Sequence, residues 1–139
     1  MFDQKAYNQQ LVAEFRASRV NDGLTLNGRP LLLLTTTGNK SGEPHTAPMM
    51  YFPDADRFVV MASNAGAPSD PDWYRNLVAE PEVTVEVGKE TFQATATVSE
   101  GDERARLWVK ALEVGPFFAE HQAKISRTIP IIILRRRQS

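Results

Sequence analysis

Apolar residues along this chain change their spacing from segment to segment, and each spacing predicts an element. Over residues 3–18, Tyr7, Leu11 and Phe15 recur at every fourth position with Val12 alongside, one apolar stripe on an otherwise polar helix. The stretch "NDGLTLNGRP" is turn-rich and ends in a proline from which a strand can start. Leu31–Thr36 is continuously apolar at its start, the pattern of a central strand buried on both faces. Thr46–Phe52 follows as its return strand and Arg57–Ser63 as a third, joined by the turn "PDAD". Asp70 before Pro71 opens a short helix running to about Ala79. In Glu82–Val87 the positions Val83, Val85 and Val87 alternate, and in Thr91–Ser99 so do Phe92, Ala94, Ala96 and Val98. With "GKE" between them, these two runs predict a hairpin with one buried face. "EGDERARLWVKALEVG" predicts a helix with acidic residues at its start, its core contacts supplied by Leu107, Val109, Leu112 and Val114. Ile129–Leu134 is a last apolar strand before the tail "RRRQS".

Helix, three strands, short helix, two strands, helix, strand, with connections of hairpin length, is the order of a mostly antiparallel α+β fold. About six such strands around one core can close into a small β-barrel. The 139 residues suit one domain, 1–139, with residues 1–22 as an N-terminal helical segment and candidate lid.

Composition narrows the function. A net charge of −1 disfavours a nucleic-acid binder driven by phosphate neutralisation. The absence of cysteine removes disulfides, thiolate metal sites and cysteine nucleophiles. Two histidines and no H-E-x-x-H leave no expected metal site, and no G-x-S-x-G elbow marks a serine hydrolase. No apolar run reaches the roughly 18 residues that cross a bilayer. "MFDQKAYNQQLVAEF" lacks the basic start and apolar segment of a secretory signal, so a cytoplasmic location is the expectation.

Two stretches could carry chemistry. In "TTTGNKSG", Gly38 and Gly42 flank Asn39, Lys40 and Ser41, which together suit a phosphate or carboxylate held in a backbone concavity. The first glycine and the following helix of a nucleotide-hydrolysing P-loop are missing, and on pattern alone a solvated turn is the stronger reading. In "MASNAGAPSDPDWYRN", small residues from Ala62 to Ala67 leave a wall against which a flat aromatic ligand could lie, before Trp73 and Tyr74. A plain loop with Trp73 as a core anchor explains the same residues.

Taken together, "TTTGNKSGEPHTAPMMY", "ASNAGAP" and "PDWYRNLVAEPEVTVEVG", with the late "IPIIIL", resemble the deazaflavin-dependent nitroreductase family, which uses coenzyme F420. The resemblance runs from about Leu31 to Leu134 and implies a split β-barrel related to flavin-mononucleotide-binding oxidoreductases. It implies that the segment holding Lys40, Ser41 and Gly42 grips the cofactor's phosphate and polyglutamyl tail. Asn39 and His45 depart from arginines common in the family. Pro48, Ala62, Ser63, Asn64 and Ala67 fall where the family flanks the deazaflavin ring. Trp73, Tyr74 and Asn76 fall on the helix closing that pocket.

The resemblance implies hydride transfer from F420 to a small conjugated acceptor: a quinone, an α,β-unsaturated ester or lactone of the coumarin type, or a nitroaromatic. Nitro-activating members carry tyrosine-proline-x-tyrosine-x-x-tyrosine before the last strand. Here that segment reads Gly115-Pro116-Phe117-Phe118-Ala119-Glu120-His121, so all three tyrosines are lost and a quinone or conjugated C=C is the expected acceptor. Met50, Phe118 and His121 are the candidate acceptor pocket, with Ser63 and His121 as candidate hydrogen-bond or proton donors. On the residues alone, a partly exposed helix-end histidine is the stronger reading of His121. The N-terminal helix is a candidate pocket lid or peripheral membrane contact, and "RRR" reads as a solvated tail. Two alternatives stay open: a carrier that holds F420 or flavin without turnover, and an oxidoreductase using flavin mononucleotide.

Overall fold

The computed structural model describes residues 4–17, 25–26 and 29–137. Its elements are α1 (Gln4–Ala17), β1 (Thr25–Leu26), β2 (Arg29–Thr37), β3 (Pro44–Met50), β4 (Phe52–Asp54) and β5 (Arg57–Met61). These are followed by α2 (Asp72–Ala79), β6 (Glu82–Val87), β7 (Glu90–Val98), α3 (Gly101–Val114), α4 (Phe117–Ala123) and β8 (Ile131–Arg136). Most of the predicted turn-rich connection after α1 lies outside the described residues, as do the ends of the N-terminal segment and of the tail.

One antiparallel sheet runs β1-β2-β6-β7-β8-β5-β4, with β3 also paired to β2. β3 and β4 sit at opposite ends of that ladder, yet only Tyr51 separates Met50 from Phe52. Two residue steps span no more than about 7 Å. The sheet must therefore curl until its ends meet, and it forms a half-barrel with a seam at Tyr51. Both prolines of β3, Pro44 and Pro48, lie on this edge strand, where a missing N–H breaks no central ladder.

The apolar runs are continuous because both faces of their strands are covered. On β2 and β8, Leu32, Leu34, Ile132 and Leu134 join Val83, Val85, Phe92 and Ala94 in the barrel interior. The alternate residues Ile131 and Ile133 turn outward to Val59, Met61, Leu107, Ala111 and Phe118, beneath α3 and α4. Helix α1 packs on β3 with Leu11 and Phe15 buried, as its stripe predicts. Arg16 fastens it to Glu86 of β6 through a two-pronged ion pair, 2.8 and 3.2 Å. Helix α2 lies on the interior side, where Leu77 is buried and Trp73 and Tyr74 pack against the barrel cluster.

Several expectations need correction. Among the described residues the sheet has eight strands, because Tyr51 breaks the predicted Thr46–Phe52 into β3 and β4 and a two-residue β1 precedes β2. Helix α4 is absent from the sequence reading: "FFAEHQA" is too short for a periodicity to declare itself. Val109 is 59% exposed; Ala111 takes the inward position with Leu107, four residues away and one turn on. The arginines are no free tail. β8 continues to Arg136, which pairs with Glu90 at 3.0 Å and lies 3.9 Å above the Phe92 ring, while Arg137 reaches Glu82 at 3.1 Å. No helix among the described residues is long and apolar enough to cross a membrane.

Candidate functional site

The β2–β3 turn is built from its own backbone. The Gly38 amide donates to Glu43 O and the Gly42 amide to Gly38 O, each at 2.8 Å, and Gly42 takes φ +73°, a left-handed conformation that glycine adopts without strain. A Cβ on Gly38 would fall 2.6 Å from Ser41 Oγ and 2.7 Å from His45 Nε2, so glycine lets these two side chains fold over the turn. Ser41 Oγ accepts from the Glu43 amide at 3.2 Å and lies 3.4 Å from His45 Nε2. From α2, buried Asn76 reaches across: its Oδ1 accepts from the Asn39 amide and its Nδ2 donates to Thr36 Oγ1, both at 3.1 Å. Lys40 is exposed at the apex, and the Lys40 and Ser41 amides make no hydrogen bond among the described residues. One free ammonium, two free amides and a hydroxyl fit the phosphate and carboxylates of an anionic tail.

The second turn leaves β5 at Ala62 and passes through a single 3-10 turn, Asn64–Gly66. Asn64 has φ +50° and its side chain ties Nδ2 to Ser69 O at 3.0 Å. Gly66, at φ +83°, backs onto α4; a Cβ there would stand 3.5 Å from His121 Cα and 3.4 Å from Lys124 Cδ. Thus the turn that carries Ser63, Asn64 and Ala67 meets α4 through Gly66, beside His121, a neighbourhood that sequence spacing does not reveal. The residue holding this turn was missed altogether. Arg127 donates to the carbonyl oxygens of Ala62 (3.2 Å), Ser63 (3.0 Å) and Ala67 (3.1 Å), and to Asp70 at 2.8 Å. In sequence it is one arginine in a loop, with nothing to mark it.

The third feature is a small, partly open cleft at the barrel seam. Met50, Tyr51, Phe52, Val59 and Met61 line it from the strands, and Val114, Gly115, Phe117 and Phe118 from the junction of α3 and α4. Its walls are apolar. Phe117 and Phe118 stand 4.5 Å apart, and His121 sits 5.4 and 6.1 Å from them, centroid to centroid. His121 is half-buried and its Nδ1 is buried with no partner. Burial lowers its pKa below the ordinary histidine value, the Lys124 charge adds to this, and Glu120 opposes it. The imidazole is therefore neutral near pH 7 and keeps one N–H to donate. Burial raises the Tyr51 phenol, and it raises Tyr74 together with the nearby Asp70 charge, so both stay protonated.

Of the expected site residues, the structure joins Asn39 to Asn76, Ser41 to His45, the Ser63–Ala67 turn to His121, and Met50 to Phe118. Pro48 lies opposite Leu33 on the outward face it shares with Met50. Trp73 and Tyr74 pack on the barrel core, and the cleft opens at the seam rather than between Ser63 and Trp73.

A curled antiparallel half-barrel with flanking helices is the architecture of the split β-barrel, flavin-binding-like proteins. A solved F420-H2 dependent reductase, FDR-A, shares it with a TM-score of 0.71 and 38% identity over 81% of this chain and 100% of its own. A solved domain-swapped dimer is similar at TM-score 0.72 and 35% identity, over 91% of this chain and 98% of that one. The F420H(2)-dependent quinone reductase Rv1261c of Mycobacterium tuberculosis is 40% identical over 111 residues, 78% of this chain and 74% of that protein. The family profile described as F420H(2)-dependent quinone reductase matches residues 7–136, and the chain belongs to that family. It is an F420H2-dependent oxidoreductase with coenzyme F420 as cofactor. The family description names quinone reduction, and nitro reduction does not enter it.

Proposed function

We propose that this chain passes hydride from reduced F420 to a quinone. One observation carries the reading: the quinone-reductase profile spans residues 7–136 and so takes in both turns and the α4 wall of the cleft. When bound, the deazaflavin supplies hydride, two electrons at a time. Lys40, Ser41, His45 and the free amides of Lys40 and Ser41 hold the anionic tail, and Asn76 keeps their turn in place through the Asn39 amide. Ala62, Ser63, Asn64 and Ala67 flank the ring; Pro48 and the Trp73–Tyr74 edge of α2 bound it.

Met50 and Phe118 receive the acceptor in the seam cleft. A quinone that gains hydride at one end of its conjugated system must gain a proton at oxygen to become the hydroquinone. The neutral His121 donates its remaining N–H toward that oxygen, with the Ser63 hydroxyl as a second donor, stabilising charge as it develops. Coumarin-type lactones and other conjugated esters are secondary acceptors on the same chemistry. The nitroreductase motif is met only by Pro116, and nitro reduction is expected to be slow or absent.

The test is anaerobic oxidation of reduced F420 by purified protein, with menadione, a coumarin and a nitroimidazole compared. Rapid bleaching with menadione is expected. Binding of F420 with no bleaching across the panel would make the chain a carrier, and binding of flavin mononucleotide in place of F420 would overturn the cofactor assignment.

A further inference from the structure

Arg127 lies partly buried at the heart of the second turn, outside the roles described so far. Its backbone arrives there by register. β5 and β8 pair Met61 with Ile131, and the ladder runs one step further as the Ala62 amide donates to Pro130 O at 3.0 Å. The residues just before β8 therefore lie against the exit of β5, and the Arg127 side chain, 16% exposed, turns into it. Gln122 fixes the approach from α4, donating to Arg127 O at 2.7 Å and accepting from the Ile129 amide at 2.9 Å.

In a trans peptide the C=O and the following N–H point in opposite directions. The guanidinium draws the carbonyls of Ala62 and Ser63 towards itself. The amides of Ser63 and Asn64 must then face the other way, and neither makes a hydrogen bond among the described residues. We infer that Arg127 is a positioning residue: by gathering the carbonyls of Ala62, Ser63 and Ala67, it aims the Ser63 and Asn64 amides outward as paired donors for the polar edge of the deazaflavin ring. This rests on the reading of the turn as the ring's wall. The planar fork is what the task requires, because a lysine ammonium cannot span acceptors on both sides of the turn.

The experiment compares Arg127→Lys with wild type by fluorescence titration of F420 and of a tail-less deazaflavin, alongside amide hydrogen exchange without ligand. Affinity for both ligands should fall by the same factor, about tenfold or more. Exchange should quicken at Gly66 and Ala67, whose amides close the turn, and stay unchanged in β6 and β7. Lys40→Ala should by contrast weaken only the tailed ligand. Should Arg127→Lys fail to fold, Asp70→Asn weakens the same clamp from its partly exposed side, with a smaller loss of the same signature expected. Folded variants that bind the tail-less ligand within twofold of wild type overturn the assignment, as does a loss confined to the tailed one. Wild-type protein that binds neither ligand refutes the ring-wall reading beneath it. Binding that survives in wild type but not through this turn refutes the role of Arg127 alone.

Discussion

Asn76 offers the sharpest test of how the fold holds the first turn. It is 5% exposed and spends both ends of its amide on β2 and the turn, at 3.1 Å each to the Asn39 N–H and Thr36 Oγ1. Asn76→Ala removes both bonds and strands the Thr36 hydroxyl, itself 2% exposed. At roughly 0.5–1.5 kcal/mol net per hydrogen bond, the loss should come to about 2 kcal/mol. For a chain of this length that is a fall of roughly 4–8 °C in Tm. Thr36→Val keeps the shape and removes the partner, so the double variant should lose about 1 kcal/mol less than the sum of the singles. Thermal and urea unfolding of the four proteins measures the cycle, and F420 titration reads the consequence at the turn, where affinity should drop with the Asn39 amide unheld. A coupling below about 0.3 kcal/mol, or a Tm within about 1 °C of wild type, would refute the claim that this side chain locks the turn.

Other outcomes follow from neighbouring features. Arg106, Arg57 and Lys110 surround Asp54 and hold its carboxyl well below the usual range, with burial opposing them. Its stabilising effect is present above the unfolded value of about 4 and fades as pH falls through the folded one, so Asp54→Asn should be less stable at pH 7 and show a shallower acid slope in urea unfolding. Because burial lowers the His121 pKa, NMR titration should place it below the ordinary 6.5, and protonation at lower pH should cost stability. Lys40→Ala should raise the Kd for F420 several-fold at low salt, with the difference shrinking as ionic strength rises. A Cβ at Gly115 would meet the Phe117 ring at 2.8 Å, so Gly115→Ala must shift that ring: Tm should drop by an amount equivalent to about 1–3 kcal/mol, and menadione KM should rise with F420 affinity unchanged.

Strand identity was legible wherever both faces are apolar or one face alternates, which is why β2, β6, β7 and β8 were placed closely. Curvature was not. That the ends of the sheet meet at Tyr51 follows from pairing across the whole chain, and local pattern says nothing of it. The first turn could be read because glycine, lysine and serine act through neighbours in sequence. The second could not be read fully, since its architecture depends on Arg127, which meets Ala62 across 65 residues. Helix α4 escaped for a related reason: its few residues are fixed by packing of Phe118 beneath β5 and β8, and short helices owe their form to such contacts. The family resemblance located the turns in sequence; the apolar cleft at the seam emerged only in three dimensions.

The central claim is that this half-barrel holds a deazaflavin by its anionic tail and planar ring. A side-by-side fluorescence titration of the purified protein with F420 and flavin mononucleotide tests it most directly. Saturable binding of F420, weakened by Lys40→Ala and clearly tighter than that of flavin mononucleotide, is the expected result. Equal or stronger binding of flavin mononucleotide, or no F420 binding, would contradict the account.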